Sequence, residues 1–562
     1  MIDQFRAKEN KELYTSIALV GILAILSYGR ILFLHNVYED DNCWLLSVYA
    51  SKNLQEFLNT GWIELGRIPQ GAFLYYFLKL HKTTDYAYLI WQSINLTLQV
   101  ISPIVLFLFA YNLFRRNHLL AFFVACAFII YPIDTTIPVF SNIYYRVGIM
   151  LTLISFYLTE RALTKDIHWG LLGSALVLSG VSHYVLIEGT IALEPARLAV
   201  IGYIFYKKGL ESKALMKKSI SIWAPFLILC IPLVIYKLIF RPYGIYEGTY
   251  STGLSFVFDW RLHKQLLEML LFHNWCVFSK TYISYTTLLS ILLSLYAMII
   301  VFYFSQKIDG SEVEESCNQG NYLQNLKKIL TPFYFIFFSG AIFLIPPALM
   351  YEFAGRVPIF GVNSRHGVIL QIGYAFFLGG GLYLFFKIFS YVFPKLRMIC
   401  FLIIIFIGFG VFFNNINLDL YFDAWQEQKQ FWQDFTKRFP SLPEQSTFFI
   451  DARSDNQPYS YNLDTSYDFE LPLNLLYARS VDAEEFRKHR VLAPDEWKTI
   501  EKHMDKPDVP FDRLTHWGKD VIKANELIII KYRDNDFLVN RQISPMVTAI
   551  SYPLRYKLKG FY

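Results

Sequence analysis

The stretch HNVYEDDNCW, His35 to Trp44, sets the consecutive carboxylates Glu39, Asp40 and Asp41 directly after an apolar run. Charge beside hydrocarbon is costly, so ionisable groups at that depth default to a working role with a partner. The plain alternative is a solvated loop start, yet the sequence that follows, NCWLLSVYASKNLQEFL, is not hydrophilic. Four further stretches place ionisable groups in apolar surroundings. YPIDTTIPVFSNIYYR carries Asp134 and Arg146, and SHYVLIEGTIALEPAR carries His183, Glu188, Glu194 and Arg197. LIFRPYGIYEGTY carries Arg241 and Glu247, and YEFAGRVPIFGVNSRHG carries Glu352, Arg356, Arg365 and His366. Each has a bland reading. Glu194 and Arg197 are spaced to pair on one helix. His183 reads as a hydrogen-bonded core histidine, Asp134 as a helix cap, and Arg365–His366 as interfacial anchors.

Carboxylates and arginines at one level suit a particular chemistry. An acceptor hydroxyl needs a carboxylate within about 3 Å to take its proton. Glycosyl transfer passes through an oxocarbenium-like state. A phosphate leaving group departs as an anion, needs little protonation, and is stabilised by charge-assisted hydrogen bonds from arginine, which stays ionised. One base plus arginines is then sufficient. Adjacent carboxylates such as Asp40 and Asp41 raise one another's proton affinity. One would act as base while the other orients a sugar hydroxyl or binds a cation. No His/Asp/Glu grouping has metal-ligand spacing, and no GxSxG, HExxH, P-loop or strand–GxGxxG–helix motif is present. None of the 6 cysteines lies in a CxxC. Cys43 and Cys276 fall on one side of the expected membrane, where a disulfide between them could form.

The composition says what must position these groups. The 562 residues are 54% hydrophobic and 18% aromatic but only 17% charged, where soluble proteins carry about a quarter charged residues. Mean hydropathy is +0.33. The net charge of +6 is modest, and no Lys/Arg block suggests nucleic acid as a partner. A polytopic α-helical membrane protein follows. Apolar runs of spanning length predict about eleven transmembrane helices, near 13–34, 86–114, 119–138, 143–160, 169–187, 191–206, 219–240, 282–305, 329–350, 367–390 and 398–415. The first run lacks a small-residue cleavage site and reads as a retained helix. Lys and Arg gather in the N-terminus and in the even-numbered connections, which makes that side cytoplasmic. Connections 35–85, 132–142, 186–190, 241–281 and 351–366 then face outward, as does the C-terminal segment. The first of these holds apolar stretches too short to span, expected as interfacial helices. Residues 1–415 thus form the membrane domain. Residues 416–562 read as a small extracytoplasmic α/β domain, with strands in STFFIDARSD and ELIIIKYRDNDFLV and helices in DAEEFRKHR and PDEWKTIEKHM.

Over 1–415 this pattern resembles the GT-C membrane glycosyltransferases: an N-in first helix, a long first outer loop with interfacial helices, and an acidic pair where that loop begins. Asp40-Asp41-Asn42-Cys43-Trp44 is similar to the Asp-Glu-x-x-aromatic pattern of aminoarabinose and protein mannosyl transferases, with Asp in place of Glu. GRIPQG, Gly66 to Gly71, resembles the Gly-Arg-Pro stretch of glucosyltransferases that decorate O-antigen, with an Ile interrupting it. The resemblance implies a polyprenyl-phosphate-linked sugar as donor and inversion at the anomeric carbon. It implies a glycan, lipid or protein acceptor on the extracytoplasmic face, and a bacterial inner membrane with the C-terminal domain in the periplasm. The family's base falls on Asp40, or on Asp41 if the register slips by one. Arg356 and Arg365, with His366, are the favoured contacts to the donor phosphate, and Arg67, Arg146 and Arg241 are further candidates. Glu39, Asp134, His183 and Glu188 complete the expected substrate-binding set. No cofactor is implied, although the second carboxylate leaves a divalent cation open. The competing readings are an O-antigen-type ligase or polymerase, a lipid-linked glycan flippase, and a non-catalytic assembly scaffold.

Overall fold

The computed structural model describes residues 2–35, 37–38, 40–114, 117–131, 133–240, 242–247, 287–302, 337–351, 362–392, 398–442, 446–452, 466–477, 489–515, 518–533 and 536–539, with isolated residues between them. Its helices are α1 Ile2–Tyr28, α2 Asp40–Ala50, α3 Leu54–Leu58, α4 Ile68–Thr83, α5 Ala87–Leu113, α6 His118–Ile130, α7 Ile143–Thr164 and α8 Trp169–Val181. They continue as α9 Glu194–Lys207, α10 Ser212–Ile239, α11 Thr287–Phe302, α12 Phe337–Tyr351, α13 Leu370–Val392, α14 Met398–Arg438, α15 Ser466–Tyr477 and α16 Trp497–Met504. Among the described residues, 7 helical stretches are long and apolar enough to cross a membrane: Asn10–Phe33, Ala87–Leu113, Phe140–Thr164, Trp169–Leu186, Ser212–Lys237, Ser364–Ile388 and Leu402–Arg438. The chain is a helical membrane protein. Four of the expected spans are shorter there. The run 119–138 is helical only through Ile130, and 191–206 is split between a 3-10 turn, Glu188–Leu193, and α9. The described parts of the runs 282–305 and 329–350 are α11 and α12. Cys276, the expected disulfide partner of Cys43, lies outside the described residues.

The short α6 explains itself by position. HLLAFFVACAFII is apolar all round, which marks a helix enclosed by others, and Leu119 to Ile130 are all buried. Helices α1, α5, α13 and α14 pack around it. Asn117 caps its start by accepting from the Leu120 N–H. Its end falls at Tyr131, which is extended, as suits a residue before proline. From Ile133 to Val139 the chain runs on buried and without helix, and a short 3-10 turn, Phe140–Asn142, then leads into α7. Irregular backbone at membrane depth persists only where protein satisfies its peptide groups, and here side chains from many helices do so. In the last turn of α6 before it, the Ile129 carbonyl accepts from Asn414 (2.9 Å), and Phe128 from Gln371 (2.8 Å). The Thr135 carbonyl accepts from Asn417 (2.9 Å) and Tyr421 (3.2 Å), while its N–H donates to Ser364 (3.0 Å). Thr136 accepts from Arg146 (2.5 Å), Ile137 from Asn95 (3.3 Å) and Pro138 from Gln92 (3.0 Å).

At the same end of the bundle, α2–α4 and the residues after 430 share one apolar core. Leu45, Tyr49, Trp62 and Leu74 pack with Phe431, Phe435, Phe469 and Ile530. Helix α2, expected at a membrane interface, is instead enclosed, because α15 lies across it and Asn42 donates to Asp468 (2.9 Å). The composition shift near 415 is not an element boundary. Helix α14 runs unbroken for 41 residues, roughly 60 Å, so it continues well past the about 30 Å of a hydrocarbon core. Beyond it lie β1 Thr447–Asp451, β2 Arg490–Leu492, β3 Phe511–Thr515, β4 Gly518–Ile522, β5 Ile528–Arg533 and β6 Asp536–Val539. The sheet order is β2-β1-β5-β6, with β1 parallel to β2 and β5 and with β6 antiparallel; β3 and β4 form a separate hairpin. Of DAEEFRKHR, most lies outside the described residues.

Removing a side chain that satisfies the buried segment should be costly out of proportion to its size. Asn414→Leu and Asn417→Leu are each expected to lose about 1–3 kcal/mol, read as a lower melting midpoint in detergent. Thr97→Ala, on an exposed face of α5, should leave the midpoint unchanged.

Candidate functional site

Helix α2 begins at Asp40, so both carboxylates sit in its first turn, where the helix dipole favours negative charge. Their surroundings differ completely. Asp40 is 33% exposed and pairs directly with the guanidinium of Arg365, itself 16% exposed. Arg365 stands in the 3-10 helix Val362–Ile369 that leads into α13. The next residue, His366, meets the Tyr145 hydroxyl through Nδ1 at 3.0 Å. Tyr145 and Tyr144 open α7, with ring centroids 4.4 Å apart. Three chain segments distant in sequence thus bring a carboxylate, a guanidinium, an imidazole and a phenol together.

Asp41 is fully buried. Its carboxylate accepts from the backbone N–H groups of Ser141 (2.7 Å), Phe140 (3.3 Å) and Tyr38 (3.4 Å). Burial pushes its carboxyl up to about 8, with the Ser141, Phe140 and Tyr38 N–H donors pulling the other way. Asp41 therefore ties the start of α2 to the buried segment just before α7. Asp40 alone of the pair is open to solvent.

A second group lies beside the first. Glu188 accepts from Lys237 at 2.8 Å and lies 3.4 Å from the Arg67 guanidinium. Local structure delivers each member. Helix α8 ends in a π turn, Ser182–Leu186, and the chain then tightens to a 3-10 turn starting at Glu188. Gly189 permits this turn to touch the Arg365 segment, since a Cβ there would lie 2.5 Å from Ile369. Lys237 closes the last turn of α10.

Other expected site residues do different work. Arg146 is enclosed and bonded to Asp134 (3.0 Å), Asn95 (3.0 Å) and the Thr136 carbonyl, and Asp134 also accepts from the Thr136 N–H and hydroxyl. This pair braces the buried segment. Glu194 and Arg197 pair on one helix at 2.8 Å, and Arg197 lies 4.3 Å from the Phe156 and Phe226 rings. His183 is a buried histidine held by Ser179, Thr190 and Glu194. Glu39, Arg241 and Arg356 lie outside the described residues. Among the described residues, no group of three or more His, Cys, Asp or Glu could hold a metal ion.

The sequence reading missed Lys237, Tyr145 and an enclosed pair, Arg30–Asp419 at 2.5 Å, bridged by Ser290. A single charge near the end of the apolar α10 was the available signal for Lys237. Nothing in the spacing of Tyr145 pointed to His366, 221 positions away. No protein-family model matches the chain, and no curated protein or solved structure is significantly similar to it.

Asp41 gives a pH signature. The folded state holds a proton to about 8, whereas the unfolded chain releases it near 3.9. Stability is therefore greatest below that unfolded value and falls as pH rises through about 8. In detergent, the melting midpoint of the wild type should drop between pH 5 and pH 8.5 more steeply than that of Asp41→Asn.

Proposed function

We propose that this chain is an inverting glycosyltransferase that moves a sugar from a polyprenyl-phosphate carrier to an acceptor hydroxyl at the outer membrane face. The observation that carries the reading is the pairing of Asp40 with Arg365 beside His366 and Tyr145. A general base and a phosphate-binding cation stand there within one side chain's reach of each other.

The reaction follows from that geometry. Donor phosphate oxygens compete with Asp40 for Arg365, since both are oxyanions that match a guanidinium. When Arg365 turns to the phosphate, Asp40 is released as a base. It takes the proton of the acceptor hydroxyl. The acceptor oxygen bonds to the anomeric carbon from the face opposite the phosphate, the bond from that carbon to the phosphate oxygen breaks, and the configuration inverts. The lipid phosphate leaves with the electron pair and rests on Arg365 and, from the sequence pattern, Arg356. His366 and Tyr145 supply hydrogen bonds to sugar hydroxyls. Asp41 positions Asp40 by clamping the first turn of α2. Under this reading the membrane domain has about eleven spans with the N-terminus inside. The α/β C-terminal segment covers the site from the periplasm of a bacterial inner membrane. It shares the α2–α4 core, which suits a lid that shapes acceptor access.

The test supplies purified protein with a radiolabelled polyprenyl-phosphate sugar and an envelope extract as acceptor source. Asp40→Asn and Arg365→Ala should each lower labelled product by about 10²-fold or more, while Arg490→Ala, in the C-terminal sheet, should transfer at the wild-type rate. Wild-type transfer by Asp40→Asn would refute the assignment of the base. Movement of lipid across a vesicle membrane with no covalent product would favour the flippase.

A further inference from the structure

Arg67, Glu188 and Lys237 come from three segments, and backbone packing holds those segments together independently of the charges. Gly66 adopts φ +66°, and a Cβ there would lie 2.5 Å from the Phe240 ring and 2.6 Å from the Tyr236 hydroxyl. The Tyr243 N–H donates to the Glu64 carbonyl at 3.3 Å. The loop before α4 is thus seated on the end of α10. The Glu188 turn is seated separately, through Gly189, on Ile369. The three charged groups are 25%, 19% and 30% exposed, in the order Arg67, Glu188, Lys237. They are reachable from solvent, unlike the enclosed Arg146–Asp134 and Arg197–Glu194 pairs.

We propose that Glu188 is a displaceable counter-ion, holding Arg67 and Lys237 in place as a subsite for a lipid-borne phosphate ester. A carboxylate between a guanidinium and an ammonium occupies the position a phosphate oxygen would take. Snorkelling alone would turn Lys237 to water; its ammonium instead lies 2.8 Å from Glu188. The surroundings select a lipid. Ile68, Tyr236, Ile239 and Tyr243 are exposed beside the charges, an apolar surface along which an acyl or isoprenoid chain would lie with its phosphate at the cations. Replacing Glu188 by a neutral group removes a competitor for both cations at once. The identity of the lipid as a polyprenyl carrier rests on the transferase reading; the subsite does not.

The experiment measures binding of polyprenyl monophosphate, phosphatidylglycerol and inorganic phosphate to full-length protein in nanodiscs or detergent. Glu188→Gln should bind polyprenyl monophosphate about fivefold or more tightly than wild type, and Lys237→Ala and Arg67→Ala about tenfold more weakly. Melting midpoints confirm that each variant is folded; for any that is not, Lys237→Gln or Arg67→Gln is measured in its place. Unchanged or weaker binding in Glu188→Gln overturns the counter-ion role, as does wild-type binding in Lys237→Ala. Preference for phosphatidylglycerol would assign the subsite to bulk lipid, and equal response to inorganic phosphate would remove the lipid from the proposal. Thr97→Ala, on an exposed face of α5, should bind like wild type. If Asp40→Asn transfers sugar normally, the transferase reading fails while the subsite stands.

Discussion

The structure depends on one requirement: a buried stretch of non-helical backbone must have its peptide groups paired. Between Ile130 and Ile143 the chain leaves the helical ladder inside the bundle, where an unmet carbonyl or N–H costs several kcal/mol (about 2–7). The partners come from α5, α7, α14 and the turn before α13. Each such bond fixes a neighbouring element against the segment as well as satisfying it. Near its end, the N–H groups of Phe140 and Ser141 reach Asp41. That contact sets where α2 begins, and therefore where Asp40 stands relative to Arg365. The same segment ends in α7, whose first turn presents Tyr145 to His366. The site is the outer edge of this arrangement.

Burial sorts the ion pairs into two kinds. Arg146–Asp134, Arg197–Glu194 and Arg30–Asp419 are enclosed and carry extra hydrogen bonds to hydroxyls, amides or carbonyls. Such pairs repay their desolvation only with the help of these extra hydrogen bonds, and breaking one strands a charge. They hold helices in register. Asp40–Arg365 and Glu188–Arg67–Lys237 are partly open to solvent. Their partners can be exchanged for a ligand oxyanion without leaving a charge in hydrocarbon. This difference in access, rather than the residue types, separates the enclosed bracing pairs from those a ligand can reach.

The C-terminal strands and helices add a further constraint. Asn42 to Asp468 locks α2 beneath α15, and Tyr49 stacks on Phe486 beyond it. His81, bonded on both ring nitrogens by the Tyr49 and Tyr88 hydroxyls, joins α2, α4 and α5. The carboxylate-bearing turn is therefore gripped from the bundle below and from the C-terminal segment above. A carboxylate held this firmly needs little reorganisation when charge develops near it.

Hydropathy alone determined that the chain is a helical membrane protein, because the length and apolarity of a span are properties of consecutive residues. The pattern of ionisable residues in apolar stretches also singled out Asp40, Arg365, His366, Arg67 and Glu188. Local pattern could not tell these from Arg146, Asp134 and His183, since all are ionisable residues in apolar stretches. Nor could it show that within 119–138 the helix stops at Ile130 and the described residues after it are buried without helix, because both parts are equally apolar. Only the tertiary structure decided which of two adjacent aspartates is open. Asp40 and Asp41 are consecutive on a helix, so their side chains point about 100° apart. Which direction meets Arg365 and which meets backbone N–H groups is set by segments 100 and 325 positions away.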